Sequence, residues 1–190
     1  MINLELINNL PEMLGKISKK HDANAAVSLI LKPTLEDCEV LFVKRVERSS
    51  DPWSGQIAFP GGKRDPEDRN LKDTIIREVF EETDIKLTET NLLGVLKIIS
   101  SKPKRNLRIL PFVVFLEKRP IINLNKKELN KFFWVSYKKI ERNRGIVDFG
   151  NRKVPAYLLR EDIVWGVTYK ILRNFNKNVE LLLNKKIAES

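Results

Sequence analysis

An α/β or α+β sandwich, with a mixed sheet between helices, is the fold class this sequence predicts. Three observations carry that prediction. Short apolar runs rich in β-branched residues recur along the chain, as at 25–31 and 40–46, and read as strands. Amphipathic stretches near both ends and in the middle carry apolar residues at helical spacing. Between them, residues 55–85, GQIAFPGGKRDPEDRNLKDTIIREVFEETDI, run from a strand through a glycine turn into a helix rich in carboxylates.

In chain order, residues 3–20 read as an amphipathic helix with Leu4, Ile7, Leu10, Leu14 and Ile17 on one face, divided by Pro11. Strands at 25–31 and 40–46 are joined by a polar turn around Glu36 and Asp37, and 47–56, ERSSDPWSGQ, has the composition of a loop. Residues 56–59 form a short strand leading into the turn at Pro60, Gly61 and Gly62. A polar loop follows, and Asn70 is positioned to cap a helix over 71–83 whose buried stripe is Leu71, Ile75, Val79 and Phe80. Strands are predicted at 92–99, 110–116 and 132–135, with a turn at 126–130. VPAYLL is a further strand, and a helix over 162–175 places Ile163, Trp165, Val167 and Ile171 at apolar positions, with a frayed end beyond it. There is no internal repeat or low-complexity tract.

A chain of 190 residues, 42% hydrophobic and 32% charged, is expected to form one domain over 1–190. Its net charge of +10 favours anionic partners, whether phosphorylated metabolites, nucleic acid or a membrane surface. Cys38 is the only cysteine, which excludes an intrachain disulfide and a thiolate metal site and fits a reducing cytosol. The first residues lack the basic start and apolar run of a secretory signal, and no apolar stretch reaches the roughly 18 residues of a membrane span. A cytoplasmic protein is the expectation.

Glu78, Glu81 and Glu82 stand at i, i+3 and i+4, so a helix projects their carboxylates from one face, opposite the predicted stripe. Like charges so placed repel, and a hard divalent cation between them relieves the repulsion. A run such as REVFEE is by itself most simply a solvated helix face. The strand, the double glycine and the acidic loop in front of it turn the reading towards a metal site. His21, the only histidine, has no partner of metal-ligating type and is not a candidate.

Gly62, Asp68, Arg77, Glu78, Val79, Glu81, Glu82 and Ile85 resemble the Nudix box: a glycine, five residues, a glutamate, seven residues, then Arg-Glu-apolar-x-Glu-Glu-x-Gly-apolar. REVFEE is intact. Asp68 replaces the first glutamate, eight residues separate it from Arg77, and Asp84 replaces the second glycine at a position that often needs positive φ. The first two departures are also features of the coenzyme A pyrophosphatase branch. LFVKR, GQIAFPGG, VPAY and IVWGVTYKIL are similar to that branch as well, so the resemblance spans residues 25–175. VERSSDPWSG lacks the Leu-Arg pattern that the branch places there.

The resemblance implies a Nudix-type α/β/α sandwich and hydrolysis within a pyrophosphate with Mg²⁺ or Mn²⁺. It assigns Glu78 and Glu82 as principal metal ligands, Glu81 as a further or water-mediated ligand, and the Gly62 carbonyl as a backbone ligand. Glu81, Glu82 and Arg77 make up the catalytic set. Glu128 is a candidate general base, because in relatives the base is either a box glutamate or an acid from a distant loop. Arg77 is expected to point away from the metal and to brace Asp68. Arg45 and Arg48 are candidate phosphate contacts, Trp53 a candidate stacking residue, and Lys102, Lys104 and Arg105 a second basic loop. The substrate is expected to be a small phosphorylated metabolite: coenzyme A or a derivative, a nucleoside di- or triphosphate, or an ADP-ribose-type compound. An RNA-directed role is disfavoured by the lack of an aromatic-basic platform. A non-catalytic binding module is disfavoured by the intact REVFEE. The N-terminal helix is a candidate interface for a homodimer.

Overall fold

The computed structural model describes residues 2, 4–101 and 106–189; Lys102, Lys104 and Arg105 lie outside them. An eight-stranded sheet is built on β1 (Ala25–Pro33) and β2 (Cys38–Arg45), with β3 (Ile57–Ala58), β4 (Gly61–Lys63), β5 (Leu92–Val95), β6 (Ile99–Ser100), β7 (Arg108–Phe115) and β8 (Leu129–Ser136). β1 and β7 run parallel, whereas β2 pairs β1, β3 and β8 antiparallel, so the sheet is mixed. A smaller sheet joins β9 (Arg144–Asp148), β10 (Lys153–Leu159) and β11 (Asp162–Val164).

Alternation along β1 and β2 explains the layers. Leu29, Leu31, Val40 and Phe42 enter one core cluster with α4 (Gly166–Glu189) and the small sheet. Ile30 and Leu41 enter the other, beneath α2 (Leu71–Thr83). A side-chain period of two sends neighbours to opposite faces, and helices cover both, giving the predicted α/β/α sandwich.

The site lies where the sheet opens. β1 pairs with β2 only over its last residues, Leu31 to Pro33. Nearer its start it pairs with β4, while the end of β2 pairs with β3. Residues 57–63 therefore bridge two diverging strands, and the Pro60 carbonyl accepts from both the backbone N–H (2.8 Å) and the hydroxyl (3.0 Å) of Ser28.

Several boundaries differ from expectation. The first helix stops early: α1 covers Leu4–Asn9, and Leu10–Met13 is a 3-10 turn with Pro11 in its first positions. Gly15 then exchanges backbone hydrogen bonds with Val95, so 14–20 do not continue the helix. The strand expected over 92–99 is divided into β5 and β6, and that expected over 132–135 extends to Leu129–Ser136. Residues 162–164 are strand rather than helix, because Ile163, Trp165 and Val167 repeat every second residue and Arg160 (φ 57°) turns the chain back on β10. The helix begins at Gly166 and runs to Glu189, beyond the predicted end. A short α3 (Tyr137–Arg142) and β9 were not anticipated. Phe80 is exposed, since it stands about 100° around the helix from Val79. Among the described residues, no helix is long and apolar enough to cross a membrane.

Candidate active site

α2 begins where the sequence predicts. The Asn70 side chain accepts hydrogen bonds from the N–H groups of Lys72 (2.9 Å) and Asp73 (3.3 Å), satisfying two of the unpaired donors of the first turn. Leu71, Ile75 and Val79 are buried beneath it. The helix ends at Asp84, which takes the left-handed conformation (φ 62°) that the family pattern gives to glycine. Asn123 Nδ2 donates to its Oδ2 at 2.9 Å.

Glu82 is not on a solvated face. It is 2% exposed, and Oε2 accepts the Gly61 N–H at 2.9 Å. Burial pushes its carboxyl up to about 8, with the Gly61 N–H acting in the opposite sense. Burial also raises Glu78, against the pull of Arg77. A Cβ on Gly62 would lie 2.5 Å from the Glu78 carboxyl atoms, so only glycine lets this backbone approach so closely.

Arg77 uses all five of its N–H donors. Nε (3.1 Å) and Nη2 (2.9 Å) hold the Asp68 carboxylate, and Nη2 also meets the Lys63 carbonyl at 3.2 Å. Nη1 donates to Glu78 (3.0 Å) and Glu81 (2.9 Å). The Arg77–Asp68 pair is therefore present, but Arg77 does not point away from the box carboxylates: its planar fork reaches both groups at once. Hydrogen bonding to Arg77 lowers the Asp68 carboxyl to about 2.

A cavity of about 500 Å³ opens beside this cluster. Glu78, Glu82, Gly62 and Glu128 line it, together with Arg45, Arg48 and Trp53 from the 45–56 segment. Glu81, half exposed, the buried Asp68 and the partly buried Arg77 are not among its lining residues. Arg45 is bound through Nε (3.1 Å) and Nη2 (2.7 Å) to Asp51, and Arg48 donates to the Lys127 carbonyl. Sequence reasoning missed Asp51, Lys63 and the α4 residues Val167, Thr168 and Ile171, all of which line the cavity. The signal for Thr168 is tertiary, since its hydroxyl bonds the Ile57 carbonyl at 3.0 Å.

The three box carboxylates take different partners in this structure. Among the described residues, no three His, Cys, Asp or Glu side chains stand as a ready-made ion cage. Arg77 draws Glu78 and Glu81 to itself, and Glu82 turns to the Gly61 N–H. The buried Glu82 and the partly buried Glu78, both with raised pKa and beside a backbone held open by glycine, nevertheless form an oxygen donor set. That set suits a hard divalent cation, and Nudix enzymes generally use divalent metals.

The family model for the NUDIX domain matches residues 22–158. An uncharacterised Nudix hydrolase, NudL, of Yersinia enterocolitica is 25% identical over 178 residues, covering 86% of this chain and 84% of its own. A NudL of Photorhabdus laumondii is 26% identical over an alignment of 192 residues, covering 95% and 100%. Among solved structures, a MutT/nudix family protein from Enterococcus faecalis superposes with a TM-score of 0.61 at 15% identity, covering 94% of this chain and 70% of that one. The NUDIX domain of Shewanella oneidensis NrtR, complexed with ADP ribose, gives 0.56 at 13% identity, with coverage of 94% and 99%. The structural likenesses show the fold; with the family model matching most of its length, the chain belongs to the Nudix family of hydrolases.

Proposed function

We propose that the protein hydrolyses the pyrophosphate bond of a small nucleotide-linked metabolite, with coenzyme A or a derivative as the leading substrate. The observation that carries this reading is the pair of Glu82, buried, and Glu78, partly buried, set against Gly61 and Gly62 on the wall of a cavity that also holds Arg45 and Arg48. Its volume of about 500 Å³ lies within the usual range for small-molecule sites. Two segments similar to the coenzyme A branch, FPGG and WGVTYKI, both contribute lining residues, which supports that branch. ADP-ribose-type compounds and nucleoside di- or triphosphates are the alternative substrates. Nucleic acid is disfavoured.

Glu78, Glu82 and the Gly62 carbonyl would hold Mg²⁺ or Mn²⁺, with Glu81 as a further ligand or a water-mediated contact. When bound, the cation neutralises the pyrophosphate and polarises phosphorus. Arg77, tied to Asp68, Glu78 and Glu81, is a positioning residue. Arg45 and Arg48 bind phosphate oxygens, and Trp53 packs on the organic part of the substrate. Glu128 takes a proton from the attacking water. The water oxygen bonds to phosphorus, the bridging P–O bond breaks, and its electron pair leaves on the departing phosphate.

Incubating the protein with Mg²⁺ and a panel of coenzyme A, ADP-ribose and nucleoside di- and triphosphates, with products identified by mass spectrometry, tests the proposal. Coenzyme A is expected to yield 3′-phosphoadenosine 5′-phosphate, and Glu82→Gln to abolish turnover while the fold is kept. Parental activity in Glu82→Gln overturns the site assignment.

A further inference from the structure

We infer that Asn125 is a positioning residue that holds the Glu128 carboxylate at the cavity, an inference that rests on the reading of Glu128 as proton acceptor. Glu128 belongs to an exposed loop rather than to the helix that carries the other carboxylates. Three acids, Glu78, Glu82 and Glu128, line one cavity, and their mutual repulsion favours turning the exposed one, Glu128, towards water. Something has to hold Glu128 in place.

The loop is strapped across the end of α2. The Asn123 N–H donates to the Thr83 carbonyl (3.1 Å), and the Asn125 N–H to the Glu82 carbonyl (3.0 Å), using carbonyls that a helix end leaves unpaired. On the other side, the Val46 N–H bonds the Glu128 carbonyl at 2.9 Å. Asn125 is the node of this arrangement. Its Oδ1 accepts from the Lys127 N–H (3.1 Å), its carbonyl accepts from the Glu128 and Leu129 N–H groups (both 2.9 Å), and its Nδ2 donates to Glu128 Oε1 at 2.9 Å.

The turn alone does not require asparagine. An aspartate accepts from the Lys127 N–H equally well, as side-chain oxygens do in turns generally. Only the amide adds a donor aimed at Glu128, and that donor fixes one carboxylate oxygen while leaving Oε2 to take the proton. Through its own N–H the same residue is tied to Glu82, so the proposed base and the proposed metal ligand share one anchor.

This divides the variants cleanly. Asn125→Asp keeps the turn acceptor and replaces the donor by a like charge, whereas Asn125→Ala removes both. The measurement is kcat and KM, on whichever panel substrate the parent splits fastest, for both variants, for Glu128→Gln and for Asn125→Ala/Glu128→Gln, with thermal melts to verify folding. Glu128→Gln is expected to lower kcat about 100-fold or more. Each Asn125 variant is expected to lower it about 10-fold, since a displaced catalytic group loses rate steeply, with KM within about 2-fold of the parent. The double variant is expected to be no slower than Glu128→Gln alone. Parental kcat in Asn125→Asp, or a further loss in the double variant, overturns the inference by showing that Asn125 only makes the turn or acts elsewhere. Parental kcat in Glu128→Gln overturns instead the reading of Glu128 on which it rests, and a parent that splits none of the panel overturns the proposed function.

Discussion

Gly61 and Gly62 are adjacent and identical, yet their surroundings demand glycine for different reasons. Gly61 has φ 144°, and a Cβ there would lie 2.3 Å from the Ala26 carbonyl oxygen and 2.6 Å from Val27 Cα, both fixed parts of β1. At Gly62 the obstacle is the end of the Glu78 side chain, which can move. Gly61→Ala is therefore expected to destabilise the protein by roughly 2–5 kcal/mol, combining backbone strain with overpacking. Gly62→Ala is expected to stay within about 1 kcal/mol of the parent and to lose activity because Glu78 is displaced. Urea melts and turnover measured on the same two preparations separate the cases; equal loss of stability in both would contradict this account. The sequence shows two glycines, but it cannot show which one faces backbone and which faces a carboxylate.

Among the elements, the loop over 64–70 and α2 are joined by Asp68 and Arg77. Because the Asp68 carboxyl titrates lower in the folded protein than in the unfolded chain, the pair contributes stability above the unfolded value of about 3.9. That contribution is lost as pH falls through the folded value of about 2. The pH dependence of stability between about 4 and 2 is expected to flatten in Asp68→Asn, measured by urea melts at a series of pH values. An unchanged slope would show that Asp68 has no part in acid unfolding. α2 was legible because its cap, its stripe and its spacing agree with one another. The stretch 162–167 was misread because a period-two pattern directly precedes a true helix. The role of Arg77 was half legible: its spacing pointed to Asp68, while its simultaneous hold on Glu78 and Glu81 depends on side-chain reach that no linear pattern records.

At the scale of the whole molecule, the two sheets share a core cluster in which Phe42 and Leu31 of the large sheet join Tyr157 and Val164 of the small one. Asp162 adds ion pairs from the small sheet to Lys44 (3.6 Å) and Lys131 (2.8 Å) of the large one. We therefore propose a single domain and expect one cooperative unfolding transition. Tryptophan fluorescence, which includes Trp165 beside the small sheet, should coincide with far-ultraviolet circular dichroism. Two separated transitions would show that the small sheet unfolds independently. The layered architecture was readable from alternating strands and helices, and VPAYLL was readable as a strand, but the small sheet was not, since β9 was not expected and 162–164 was read as helix.

The parallel pairing of β1 with β7 makes everything between them one closed excursion of the chain. Arg45, Gly62, Asp68, Arg77, Glu78 and Glu82 all lie within that excursion, whereas Glu128 enters afterwards, on the far side of the exposed stretch at 117–119. The cation-holding and proton-accepting halves of the proposed chemistry are thus carried by separate pieces of chain. An exchange of the segment between β7 and β8 with a relative's would place a different proton acceptor beside an unaltered box, leaving the glycines, α2 and the substrate contacts of 45–56 untouched.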